Sequence, residues 1–368
     1  MKNRLCFLIF LFLSAIIIPV TGCADGTLEK KDPQTEQPAP SVTLQATPVA
    51  TPQAAAAPEI PWDRAQISPP PEQPPEPGPR FAVIPSRVTP GEPVTVAFTD
   101  DFSGPGSRDF FAVLINSQGR RLSRTPFFNF TLTDSGQEVK TAVLAIPSGA
   151  GAGAYLIRIE APGRLIADLP VVADPRSFLS EEIDLNEENT QLRVAPDPQK
   201  TAESEALWAI LSNTGTAIYD TGPFRFPVSS TRRTSFFADR RTYRYTDNTS
   251  DTSVHAGIDY GVPTGTEVRS CAAGRVILAR FRIVTGYSVV IEHLPGVYSL
   301  YYHMDQIEIR EGDIIGPGIV LGRSGATGLA TGPHLHWEIR VGTEFTDPDA
   351  FIGRAVLDKD EILAKLDY

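Results

Sequence analysis

The chain is poor in cysteine, with three in 368 residues: Cys6, Cys23 and Cys271. Cys6 falls inside an N-terminal apolar run, so no disulfide framework is available and the fold must rest on packed cores. Positive charge is also in deficit. Lys and Arg number 33 against 44 Asp and Glu, a formal net charge of −11, which argues against nucleic acid as a partner and against a broad basic surface for anionic polymers. Beyond residues 5–20 no long apolar run exists, so no further membrane span is expected. Histidine is scarce as well. All five lie between 255 and 336, and that clustering is the first positive signal.

In Gly332-Pro333-His334-Leu335-His336-Trp337-Glu338 an extended backbone alternates its faces, so His334, His336 and Glu338 share one side while Leu335, Trp337 and Ile339 share the other. Two imidazoles and a carboxylate on one face are costly to bury unless something satisfies them, and a divalent zinc ion would. A second half-site stands upstream in His255-Ala256-Gly257-Ile258-Asp259, where Gly257 and the following Tyr260-Gly261-Val262-Pro263 speak for a strand edge rather than a helix. His255, Asp259 and one histidine of the later pair make three protein ligands. The fourth tetrahedral position then stays open for water, as in a catalytic zinc site. Taken singly, either pattern is more often a satisfied surface or core pair.

Further motifs run in order along the last third of the chain: Thr234-Ser235-Phe236-Phe237, Asp239-Arg240-Arg241, Ala273-Gly274-Arg275-Val276, Val289-Val290-Ile291-Glu292-His293, Tyr298-Ser299-Leu300-Tyr301-Tyr302-His303-Met304, Glu311-Gly312-Asp313 and Gly328-Leu329-Ala330-Thr331-Gly332-Pro333. With the two histidine motifs they resemble the lysostaphin/LytM-type zinc endopeptidases of peptidoglycan. The resemblance implies an all-β duplicated hybrid motif fold, one Zn2+ per chain held by His255, Asp259 and His336, and catalytic histidines at His303 and His334. It assigns no such role to His293, read as a hydrogen-bonded structural histidine. Glu338 is either a carboxylate behind a ligand imidazole or a solvent-facing acid. Two departures stand out. Phe237-Ala238-Asp239 carries alanine where the family usually shows a glycine near the turn, and Tyr243 to Val254 reads as a polar variable loop rimming the groove.

The N-terminus opens with Lys2 and Arg4, continues apolar from Leu5 and closes at Val20-Thr21-Gly22-Cys23. A basic start before an apolar stretch is an export signal. Its ending resembles a bacterial lipoprotein signal, with Cys23 lipidated; the alternatives are an uncleaved anchor or an ordinary signal. Loss of residues 1–22 removes Lys2 and Arg4 and no acid, taking the charge from −11 to −13. Residues 23–80 are rich in Pro, Ala, Gln and Thr and cannot bury enough surface to fold. As a coil such a tether spans roughly 40 Å, and as polyproline up to about 180 Å.

Residues 81–174 carry short β-rich runs punctuated by Gly, Pro, Asp and Ser, which predict an immunoglobulin-like β-sandwich. A connector over 175–221 follows, with one short helix starting at a capping Thr201, and Trp208 as a docking residue. The metallopeptidase domain is expected over 222–358, with a tail at 359–368. Cys271 reads as a small buried hydrophobe. The fold class is therefore mainly β.

The leading functional expectation is an exported, lipid-anchored envelope protein that faces the periplasm or wall and cuts the peptide stems of peptidoglycan with metal-activated water. The alternative is a non-catalytic relative that recruits or activates a separate wall amidase or a divisome partner. Such relatives typically lack a zinc ligand, and here the set is complete. A wall-binding protein with purely structural zinc would need a fourth protein ligand, and the spacing offers none.

Overall fold

The computed structural model describes residues 78–99, 109–132, 136 and 138–366. The expected signal, Cys23 and nearly all of the tether lie outside them. Nine strands come first: β1 (Phe81–Ile84), β2 (Arg87–Val88), β3 (Pro93–Phe98), β4 (Phe111–Ile115), β5 (Arg121–Pro126), β6 (Phe128–Thr131), β7 (Glu138–Ala145), β8 (Gly153–Ala161) and β9 (Arg164–Ala173). They form two sheets, β1-β3-β7-β6 and β2-β9-β8-β4-β5. Val94, Val96, Phe98 and Leu144 from the first meet Leu114, Ile157 and Ile159 from the second. Phe98 is the centre, edge-on to Phe110 and Phe127 at 5.3 and 5.1 Å between centroids.

β7 explains why the apolar run Thr141–Ala145 does not alternate. Ala142 and Leu144 enter the core between the sheets, whereas Val139, Val143 and Ala145 join a second core on the opposite face. A strand buried on both faces reads as a continuous apolar run. That second core continues through Phe237, Ile258, Val341 and Phe351, so the sandwich shares packing with the C-terminal strands. Gly91, at φ 97°, closes onto Phe237 so tightly that a Cβ there would lie 2.4 Å from the ring. β5 and β9 went unforeseen. β9 tolerates Pro170 because β2 meets it only at Val172 and Ala173, leaving the rest of that side an edge.

The connector is more structured than expected. It holds β10 (Ser180–Asp184), α1 (Glu187–Val194) and α2 (Pro198–Ser212). The acidic stretch over 181–188 thus supplies a strand and a helix start: Asn186 caps α1 by accepting from Asn189 N at 2.8 Å, with Glu187 and Glu188 in the first turn. α2 begins before Thr201. Asp197 accepts from Gln199 N, and Pro198 fits the first helical position because its missing N–H is not needed there. The buried Lys200 donates to the terminal carbonyls of α1 at Leu192 and Ala195. Trp208 is 56% exposed, so among the described residues it is not packed into a core as expected.

The C-terminal part comprises β11 (Arg233–Ser235), β12 (Arg240–Arg244), β13 (Ser250–Val254), β14 (Ile258–Tyr260), β15 (Glu267–Arg269), β16 (Gly274–Arg282), β17 (Gly286–Leu294), β18 (Val297–Ile307), β19 (Ile314–Ile315), β20 (Val320–Ser324), β21 (Leu335–Val341) and β22 (Glu344–Thr346). The main sheet runs β11-β14-β21-β18-β17-β16-β19. β10, β12 and β13 make a smaller sheet in which β10 lies parallel to β12. The polar stretch ahead of His255 is therefore largely a β-hairpin, not an open loop. The last residues form α3 (Lys359–Leu366) rather than a tail, with Ile362 and Leu366 buried in the shared core. Among the described residues the chain is mainly β, and no helix is long and apolar enough to cross a membrane.

Candidate metal centre

β21 sits between β14 and β18, and strand register does much of the assembly. His336 lies directly across from Asp259 on one neighbour and from Tyr302 on the other. The Tyr302 ring stacks on the His336 imidazole at 5.4 Å and 7°. Gly257 makes the close approach possible, since a Cβ there would lie 2.2 Å from Trp337 O. As the alternation predicts, Leu335, Trp337 and Ile339 fill the core.

His255 is delivered by backbone pairing with the turn 236–239. Ala238 N donates to His255 O at 2.8 Å and His255 N to Asp239 O at 2.9 Å. Phe236 O then accepts from His255 Nδ1 at 2.7 Å. Ala238 stands at φ 62°, so the turn keeps the left-handed geometry that a glycine would adopt freely.

Three donor atoms converge. His255 Nε2 is 3.1 Å from Asp259 Oδ1 and 3.0 Å from His336 Nδ1, and the latter two are 2.9 Å apart. Each imidazole commits its other nitrogen elsewhere: His255 to Phe236 O, and His336 Nε2 toward Glu338 Oε2 at 3.5 Å. With both rings neutral and their other nitrogens carrying the proton, two lone pairs and a carboxylate oxygen would face one another among buried side chains. That arrangement is unfavourable until a cation sits among them. A tetrahedral zinc with arms of about 2.0–2.1 Å needs donors roughly 3.3 Å apart, close to the separations present. The residues fit the ion.

The field at the site agrees. Burial opposes ionisation of Asp259, but His255 and His336 outweigh it and hold the carboxyl well below the usual range. Burial also opposes a charged His336, yet Asp259 and Glu338 overcome it and push it up to about 9. A proton there marks where positive charge is wanted. His255 is lowered, chiefly by burial.

His303 and His334 lie beside this triangle, their rings 4.7 Å apart between centroids, with His334 Nε2 3.9 Å from Asp259 Oδ1. Strand alternation would send His303 away from Tyr302. A φ of 61° at His303 turns it back toward His334 and His336, a left-handed conformation that costs of order 1 kcal/mol in a non-glycine residue and concentrates at working sites. Both rings anchor Nδ1 on a carbonyl, Thr327 O for His303 and Gly332 O for His334, each at 2.8 Å. Neither Nε2 has a hydrogen-bond partner among the described residues, and that of His334 faces Asp259 Oδ1. Burial, then the neighbouring His334 and His336, push His303 down to about 3, so it is neutral.

His293 stands apart. Its Nδ1 donates to Ala273 O at 2.7 Å and its Nε2 meets Ser299 Oγ at 2.7 Å. Two residues of the centre were not singled out by sequence reasoning. Arg241 donates from Nη2 to Asp259 Oδ2 at 2.7 Å, and Tyr302 stacks on His336. Only the position of Tyr302 beside His303 hinted at the second.

Residues 253–348 match the model of Peptidase family M23. The chain is 36% identical over 135 residues to the DD-carboxypeptidase/endopeptidase Mpg of Neisseria meningitidis, a span covering 36% of this chain and 30% of that protein. It is 37% identical over 118 residues to the peptidoglycan DD-endopeptidase ShyA of Vibrio cholerae, covering 32% and 27%. The matches thus take in less than a third of those relatives' length. A solved structure from Pseudomonas aeruginosa, assigned to peptidase M23, aligns over 72% of this chain and 94% of its own at 22% identity, with a TM-score of 0.49.

Proposed function

From a chain that carries a peptidase M23 domain over residues 253–348, we propose a zinc-dependent endopeptidase that hydrolyses peptide cross-links of bacterial peptidoglycan. The observation that carries the proposal is the convergence of His255 Nε2, Asp259 Oδ1 and His336 Nδ1 within 3.1 Å of one another, beside the paired rings of His303 and His334. The names of the relatives, peptidoglycan DD-endopeptidases among them, support the substrate class.

His255, Asp259 and His336 would hold one zinc ion per chain. When bound, zinc lowers the pKa of a water and polarises the scissile carbonyl. The remaining work falls to the protein. His334, the more exposed of these two imidazoles, is placed to take a proton at Nε2 and return it to the departing amine. His303, held neutral and fixed by Thr327 O, orients the reacting groups from the other side. Glu338 steadies His336 through Nε2 and sets which nitrogen faces the ion. Export and a lipid anchor at Cys23 complete the reading and place the enzyme at the cell envelope.

The test is metal analysis paired with digestion of defined cross-linked muropeptides by the full chain. About one zinc per chain, and cleavage lost on chelation and in His334→Ala, is the expected result. Zinc binding without cleavage, together with stimulation of a wall amidase, would replace the endopeptidase with an activator.

A further inference from the structure

We propose that Glu181, carried into the site by connector strand β10, is a positioning residue for the metal centre: it holds Arg241 so that Asp259 offers the ion only its Oδ1. The proposal rests on the zinc reading above. Register brings the pair together, since Glu181 and Arg241 are direct partners in the parallel β10/β12 ladder. Arg241 uses two edges of its fork. Nε meets Glu181 Oε1 at 2.5 Å, and Nη2 donates to Asp259 Oδ2 at 2.7 Å. Ser235 Oγ adds contacts at 3.3 Å to both oxygens of Glu181.

The Asp259 and Arg241 side chains are only 8% and 12% exposed, and Glu181 is 29% exposed, so this is not a solvent-screened surface bridge. A carboxylate ligand with two free oxygens can rotate or chelate through both. With Oδ2 tied to Arg241, only Oδ1 completes the triangle with His255 and His336. A guanidinium beside a metal ligand also repels the ion, and Glu181 offsets that charge. Without Glu181 the fork has one partner, free to swing off Asp259 or to compete with the cation for it. The adjacent acid provides an internal control. Glu182 pairs with Arg244 where both side chains are more than half exposed.

The experiment uses the full chain, stripped of metal, with Glu181→Gln, Arg241→Lys and Glu182→Gln. Zinc affinity is read by competition with a chromophoric chelator, coordination from the visible spectrum of the cobalt-substituted protein, and folding from metal-free melting. We expect Glu181→Gln to weaken zinc about 10–100-fold, the range for carboxylates behind ligands, and to alter the cobalt spectrum. Its metal-free melting should match that of Glu182→Gln, which keeps wild-type affinity. Arg241→Lys preserves the charge but serves only one carboxylate, and should fall between. If Glu181→Gln fails to fold, Arg241→Lys decides by the same criterion. Wild-type affinity and spectrum in the variant, or equal weakening by Glu182→Gln, overturn the proposal and leave the endopeptidase standing. A wild-type chain that takes up no zinc overturns both.

Discussion

Two buried histidine clusters in the C-terminal part invite comparison. Around His293 every polar atom meets its complement: a carbonyl for Nδ1, a hydroxyl for Nε2, and the Cys271 thiol 3.7 Å from Nε2. Burial pushes His293 down to about 4 and the thiol up to about 12, so both stay neutral and inert. Around His255 and His336 a single carboxylate oxygen serves both imidazoles, so neutral rings would leave a lone pair unmatched. The second nitrogens are occupied, and the first nitrogens point at each other and at Asp259. Burial is common to both clusters. The direction of the free lone pairs separates them.

The sharpest way to break this contrast is to remove one histidine from each cluster. His336→Ala should abolish zinc uptake and cleavage while leaving the metal-free chain folded. His293→Leu should keep one zinc per chain but cost about 3 kcal/mol in denaturant unfolding, because Ala273 O and Ser299 Oγ lose their partner inside the core. Zinc loss in the His293 variant, with the fold intact, would erase the distinction. His334→Ala comes next. Zinc should remain and turnover should fall by about 10²–10⁴, the usual contribution of a positioned acid or base; an unchanged kcat on a defined muropeptide would remove His334 from the chemistry.

An effect of similar size, spread over a pH window, lies in the pH dependence of stability. His293 has its folded pKa depressed from 6.5 to about 4 by burial. The neutral form is favoured in the folded state, so its contribution is intact above pH 6.5 and is lost as pH falls from there toward 4. The expected loss is roughly 3 kcal/mol at the low end. The gap in unfolding free energy between the metal-free wild type and His293→Leu should therefore narrow across that window. A gap constant from pH 7 to pH 4 would mean that His293 is not held neutral.

Much of the centre was legible in the sequence, and the limits have physical causes. Period-2 alternation put Leu335, Trp337 and Ile339 in the core and His336 on the other face, because β21 is a regular strand paired on both sides. The apolar runs of β3, β4 and β7 were visible for the same reason. Arg241 was not, because its role depends on β10 pairing with β12 from 60 residues away, and an acidic stretch looks like a solvated face until its partner is known. The resemblance already assigned His303 to the centre, but not the left-handed φ that turns it there, since such a φ breaks the alternation from which strand faces are read. α1 was missed because its signal is a cap and two acids rather than an apolar stripe.

The subtlest probe touches the turn that presents Phe236 O to His255. Ala238 is fully buried at φ 62°, so Ala238→Gly relieves a left-handed alanine worth about 1–2 kcal/mol. Against this stand a lost buried methyl of about 0.8 kcal/mol and the extra unfolded-state freedom of glycine, about 0.5–1 kcal/mol. These terms nearly cancel, and the variant should unfold within about 0.5 kcal/mol of wild type, the ordinary range for a quiet substitution. Zinc affinity should not move, because the hydrogen bonds of Ala238 N and His255 N belong to the backbone. A variant that keeps its stability but loses zinc would show that the methyl, not the backbone turn, holds Phe236 O against His255. The orientation of a ligand imidazole would then rest on side-chain packing, as the His293 cluster does, and the two clusters would differ less than their lone pairs indicate.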